Sequence, residues 1–116
     1  MVNVTVEVDV SEHLCCGDAI ERGERVDLTC ASRQDSDGRV RVLASHHVSR
    51  IETTVRGRVV DIISVAEDGS TRPVLRVPNG RALRGLDEDD DGHLEAPWTG
   101  ETIRDRGRTF VVTVQR

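Results

Sequence analysis

The sequence predicts an all-β fold, a small antiparallel barrel of about six to eight short strands joined mainly by hairpins, with a β-sandwich as the alternative. Three observations predict it. Valine supplies 18 of the 116 residues, against one Phe, one Trp and no Tyr, and β-branched side chains suit a pleated, half-buried surface. Apolar residues recur at period two, and no long helical period is present. Asp-Gly, Asn-Gly and other glycine turns separate the apolar runs, as they do in hairpins. A chain of this length builds one core, so residues 1–116 read as a single domain.

Val2, Val4, Val6, Val8 and Val10 alternate with polar residues and predict a half-buried first strand. Residues 11–25 read as an irregular connection with room for a short helical turn near Asp18–Glu24, because Gly23 breaks any longer helix. Val26, Leu28 and Cys30 share one face of a second strand, and Asp37-Gly38 turns it toward Val40–Val42. Val59–Val65 is apolar on both sides except at Asp61 and Ser64, which predicts a central strand covered on both faces. Asp68-Gly69, Pro78-Asn79-Gly80 and Arg106-Gly107 supply the later turns, around runs at Val74–Val77, Thr102–Arg104 and Phe110–Val114. The first and last strands are long and alternating, so they are the pair expected to seal a barrel and remove its edges.

The net charge of −5 comes from 21 acids against 16 bases, all of them Arg. An acidic chain with two aromatic rings lacks the basic field and stacking platform of most nucleic-acid binders. No apolar run reaches the roughly eighteen residues of a membrane span. Three cysteines without a secretory leader pattern point to a cytoplasmic protein with reduced thiols.

His13, Cys15, Cys16, Cys30, His46 and His47 are of the types that bind zinc, and a tetrahedral site would staple a core poor in aromatics. If residues 13–15 are extended, His13 and Cys15 share a side while Cys16 points away, so a workable set combines Cys15 or Cys16 with His46 or His47. The alternative is that Cys30 is core and the others are loop residues beside a glycine turn. A thiol-dependent enzyme is a third reading, with Cys15 or Cys16 as nucleophile and His46 or His47 as base, although no assembled acid–base–nucleophile set is visible.

Asp87, Asp89 and Asp91, followed by Gly92, copy the opening of a calcium loop. The twelfth position is Trp98 where a bidentate Glu would close the shell, leaving Glu95 or Glu101 to substitute; the alternative is a solvated acidic loop. Trp98, after Pro97, reads first as a core plug and second as a surface anchor or pocket wall. Arg39, Arg41, Arg56 and Arg58 alternate on two consecutive strands, a stripe suited to phosphate or simply to a wet face.

The Cys15-Cys16-Gly17-Asp18 run, His46-His47 and Gly57-Arg58-Val59 together resemble a small uncharacterised actinobacterial family with a Cys-Cys-Gly motif and a His-His pair. The resemblance implies no particular activity; it implies that the two pairs act together. The resulting expectation is a cytoplasmic barrel that binds a protein partner or small ligand without catalysis, through a pocket of Cys15, Cys16, His46, His47 and Trp98.

Overall fold

The computed structural model describes residues 2–34, 40–44, 53–103 and 107–116. In chain order the elements are β1 (Asn3–Asp9), α1 (Val10–Cys16), β2 (Ile20–Glu21), β3 (Arg25–Gln34), β4 (Val40–Ala44) and β5 (Thr53–Val65), then β6 (Thr71–Pro73), β7 (Arg76–Val77), α2 (Gly80–Leu83), β8 (Leu94–Glu95), β9 (Thr102–Ile103) and β10 (Thr109–Gln115). Five strands close a barrel in the order β1-β4-β3-β5-β10 and back to β1, and β6 adds to β5.

The first and last strands seal the barrel. β1 and β10 pair antiparallel over their whole lengths, from Asn3 with Gln115 to Asp9 with Thr109. The barrel is not wholly antiparallel, however, because β1 runs parallel to β4 at Val6–Val42 and Glu7–Leu43. Parallel neighbours need a crossover rather than a hairpin, and α1, β2 and β3 supply it. Alternation decides what fills the interior: Val6 and Val8 of β1 meet Phe110, Val112 and Val114 of β10, all buried, with Val59, Ile62 and Leu94.

Asp9 ends β1 although the valine alternation continues to Val10. Its carboxylate accepts the Ser11 N–H at 2.9 Å and so caps α1, satisfying a helix N–H that would otherwise lack a partner. A seven-residue helix therefore stands where an irregular connection was expected. The Asn79-Gly80 dipeptide also begins a helix instead of a hairpin: Asn79 Oδ1 accepts the Ala82 N–H at 2.8 Å and caps α2. The 74–77 run breaks at Val74 and Leu75 between β6 and β7.

β5 corrects another expectation. Its buried residues are Val55 and Val59, then Ile62 and Ser64, so the inward parity changes between 59 and 62. Thr113 pairs with Asp61 while Val114 pairs with Val59, leaving Val60 as the extra residue of a bulge. A bulge moves the following side chains to the other parity. The strand is thus covered on one face, with Val60 exposed, and its two-sided apolar look comes from two registers written in succession.

Candidate functional site

A cleft of about 370 Å³ opens beside the first half of β3. The ladders create it. β5 follows β3 from Cys30 to Arg25, whereas β4 pairs with β3 only from Gln34 to Cys30. Among the described residues, Arg25–Thr29 therefore has a strand along one edge and none along the other. Val8 and Ile20 lie deep in the cleft, Val26 and Leu28 are half-buried along it, and Ala44, the last residue of β4, also lines it. Asp18, Glu24, Arg25 and Asp27 supply the charge on its rim. Asp27 also pairs with Arg56 Nε at 3.0 Å, both side chains being more than half exposed.

His13 forms a wall of this cleft and is 2 % exposed. Its Nε2 lies 2.8 Å from the Pro78 carbonyl oxygen; a carbonyl only accepts, so Nε2 carries the proton. The Gly17 N–H donates to the His13 carbonyl at 2.8 Å, and the Gly80 N–H donates to the Gly17 carbonyl at 2.9 Å, binding α1 to α2 behind the cleft. A side chain at Gly80 would overlap the His13 and Leu14 carbonyls, so glycine is what lets the two helices touch.

Of the sequence-derived pocket residues, Cys15 and Cys16 end α1, in the segment whose His13 and Asp18 line the cleft. Their stretch is helical rather than extended, so two-residue alternation does not govern it. Ala44 lines the cleft immediately before the 45–52 segment, and His46 and His47 lie outside the described residues. Cys30 is fully buried, and burial pushes its thiol pKa up against a smaller lowering by the Val55 backbone. Trp98 is not part of the cleft and not a core plug: it is 81 % exposed at the tip of the turn between β8 and β9, where Arg22 stacks over its ring 5.8 Å from the centroid. Arg22 is held there by the Val74 carbonyl at 2.8 Å and by Asp61 at 2.6 Å.

The acidic loop is organised by internal partners. Asp87 accepts from the Asp89 N–H at 3.0 Å and from Asn79 Nδ2 at 3.1 Å, and these hold its carboxyl below the usual range, the Asp89 contact first. Arg76 Nη2 donates to both oxygens of Asp90, at 2.6 and 2.7 Å. Burial raises the Asp90 pKa, but the Arg76 hydrogen bonds and charge and the Gly92 N–H outweigh it and leave the group lowered. His93 sits between Glu95, 2.9 Å from Nε2, and Asp91 at Nδ1; the Glu95 and then the Asp91 hydrogen bonds raise its pKa.

Asp90, Asp91 and His93 bring three ligand-type atoms within 4.8 Å of one another. Of the sequence-derived calcium set, Asp87, Asp91 and Glu95 are all engaged in the contacts above, and the Asp89 side chain is exposed. Neither Asp90 nor its Arg76 partner stood out in the sequence, because 14 residues and a helix separate them. Arg56 and Arg58 of the proposed stripe are exposed, the latter donating to the Gly23 carbonyl at 2.8 Å; Arg39 lies outside the described residues.

No helix among the described residues is long and apolar enough to cross a membrane. No family model, curated protein or solved structure matches the chain.

Proposed function

We propose that this barrel is a non-catalytic cytoplasmic binding module whose ligand seats in the cleft beside β3. One observation carries the reading: a cleft of about 370 Å³ beside Arg25–Thr29 combines an apolar floor of Val8, Ile20, Val26 and Leu28 with a charged rim. That volume falls in the ordinary range for ligand sites, which combine apolar walls with a few polar groups. Along β3 the walls offer Val26 and Leu28 for apolar contact and carboxylates for orientation. His13 in the wall is committed to Pro78 and serves as structure.

Amide chemical-shift mapping with a panel of small aromatic and aliphatic fragments tests this. Shifts are expected to cluster at Ile20, Val26, Leu28 and Ala44. A Leu28→Trp variant, confirmed as folded, should lose them because the larger ring fills the floor. Shifts scattered over the surface, or confined to the Asp87–His93 loop, would overturn the assignment.

A further inference from the structure

The inward row of β5 is apolar until its end: Val55, Val59 and Ile62 are buried, and then comes Ser64, 5 % exposed. Its hydroxyl bonds to no described group. On the β10 side the chain closes tightly on it, since a methyl group added at Gly107 would overlap Ser64 Oγ. Every fully enclosed side-chain nitrogen and oxygen among the described residues has a partner, so the Ser64 oxygen still meets solvent. It does so in a second pocket of about 100 Å³, lined by Ser64, Ala66, Ser70, Thr71 and Arg72, which shares no lining residue with the cleft.

The hairpin register puts four of these residues on one face. Ser64 pairs with Arg72 across the β5–β6 ladder, and two residues nearer the turn the Ala66 N–H donates to the Ser70 carbonyl at 2.8 Å. Residues two apart on a strand share a face, and directly opposed side chains start about 4.5–5.5 Å apart. Arg72 is exposed, and among the described residues its guanidinium has no partner. The carboxylates of the turn are engaged elsewhere. Glu67 pairs with Arg108 at 3.5 Å, and Asp68 accepts from the Ser70 N–H at 2.9 Å and from Ser70 Oγ at 2.7 Å.

We propose that this pocket binds one tetrahedral oxyanion, a phosphate group, held by the Arg72 guanidinium and the Ser64 hydroxyl. Its volume is well below the roughly 300 Å³ at which whole-ligand pockets begin, and well above the 10–15 Å³ or so that one water needs. A guanidinium matches the charge and geometry of phosphate. A buried hydroxyl without an internal acceptor is costly to leave unpaired and has a proton to donate. Arg72 is the one charged side chain lining the pocket, so the field there favours an anion. The phosphate is either the free ion or the terminal group of a larger molecule that extends into solvent past Arg72.

The test is a titration with sodium phosphate, and with sodium chloride at matched ionic strength, followed by amide and arginine Nε–H chemical shifts. Saturable shifts are expected at residues 64–66 and 70–72 and at the Arg72 side chain, with phosphate and not with chloride, while Val26 and Leu28 in the cleft stay in place. Arg72→Gln should weaken phosphate by about tenfold or more, and raising the salt concentration should weaken it in the wild type. Ser64→Ala should weaken it by about threefold or more yet leave the urea midpoint unchanged or higher, because the methyl replaces a hydroxyl with no internal partner. Phosphoserine separates the two sources. Binding at least as tight as that of phosphate identifies the terminal group of a larger molecule, and binding of inorganic phosphate alone identifies the free ion.

Shifts that do not saturate across the millimolar range would leave the pocket to water and overturn the site. Equal shifts with chloride, or undiminished phosphate binding by Arg72→Gln, would overturn it too. A lower urea midpoint in Ser64→Ala with phosphate affinity retained would show that the hydroxyl serves the fold and not the anion.

Discussion

The imidazole of His13 lies so close to the α-carbon of Gly17 that a methyl group there would overlap the ring. Gly17 has φ −72° and ψ 134°, which any residue adopts, so glycine is required here for space alone. The ring has little freedom to retreat, being buried and tied to the Pro78 carbonyl. Gly17→Ala is expected to lower stability by about 1–3 kcal/mol, the usual result of overpacking, read as a lower urea midpoint. In a His13→Ala background the same substitution should cost much less, and the double-mutant cycle should show that coupling. Additive effects would mean that the ring moves aside freely.

The His93 clamp gives the acidic loop a pH dependence of definite sign. Carboxylates flank both ring nitrogens, and only the imidazolium offers an N–H to each. Its folded pKa is raised, so its stabilisation is full below the unfolded value of about 6.5 and is lost as pH rises through the folded value. The Asp91 pKa is lowered, mainly by the His93 hydrogen bond; its contribution is present above about 3.9 and disappears as pH falls. The loop is therefore most stable between those limits. Urea midpoints of the wild type and His93→Gln should differ most near pH 5–6 and converge on the alkaline side. A difference that grows with pH would refute the clamp.

Trp98 illustrates what composition alone misjudges. A lone tryptophan in a core poor in aromatics looks like the plug, yet Phe110 and the valines fill the interior and Trp98 stands in solvent. Truncating a core tryptophan costs about 3–5 kcal/mol, whereas an exposed ring stacked on a guanidinium contributes about 0.5–1 kcal/mol. Trp98→Ala should accordingly cost less than about 1 kcal/mol. Its emission should resemble that of free tryptophan and be quenched readily by acrylamide. A loss of several kcal/mol would place the ring inside.

The barrel and its sealing strands were legible because alternation is local. Val2–Val8 and Phe110–Val114 state their own inward faces, and β1 and β10 meet in that register. Val60 was misread for a physical reason: a bulge shifts parity without changing composition, so Val59–Val65 looked apolar on both sides. Asp9 and Asn79 could have been read as helix caps, but the valine alternation and the hairpin-like Asn-Gly outweighed them. The cleft was not legible at all. It is lined by residues of β1, the α1–β2 connection, β3 and β4, a long-range convergence with no sequence mark at Arg25–Thr29.

Arg76 and Asp90 form the most enclosed charge pair around the acidic loop, with side chains 19 % and 18 % exposed. Arg76 Nη2 is shared between the two Asp90 oxygens, and Arg76 Nε donates to the His93 carbonyl at 3.2 Å, so one side chain holds two points of the loop against β7. Removing the guanidinium leaves Asp90 with the Gly92 N–H at 2.9 Å and little solvent. Hydrogen bonds to charged groups contribute about 1.5–3 kcal/mol, and stranding one partner adds its desolvation. Arg76→Met, which keeps the aliphatic bulk, should therefore destabilise by about 2–3 kcal/mol. Asp90→Asn should cost less, because the amide oxygen still accepts from Arg76 and no charge is left unpaired on that side chain. Amide exchange in 87–93 should rise in Arg76→Met before the barrel strands are affected, since the guanidinium ties the loop to β7 at Asp90 and His93, whereas β8 has its own backbone bonds to β9 and Leu75. Unchanged exchange in the loop, with any loss of stability spread over the whole barrel, would show that the loop is held by its own turns.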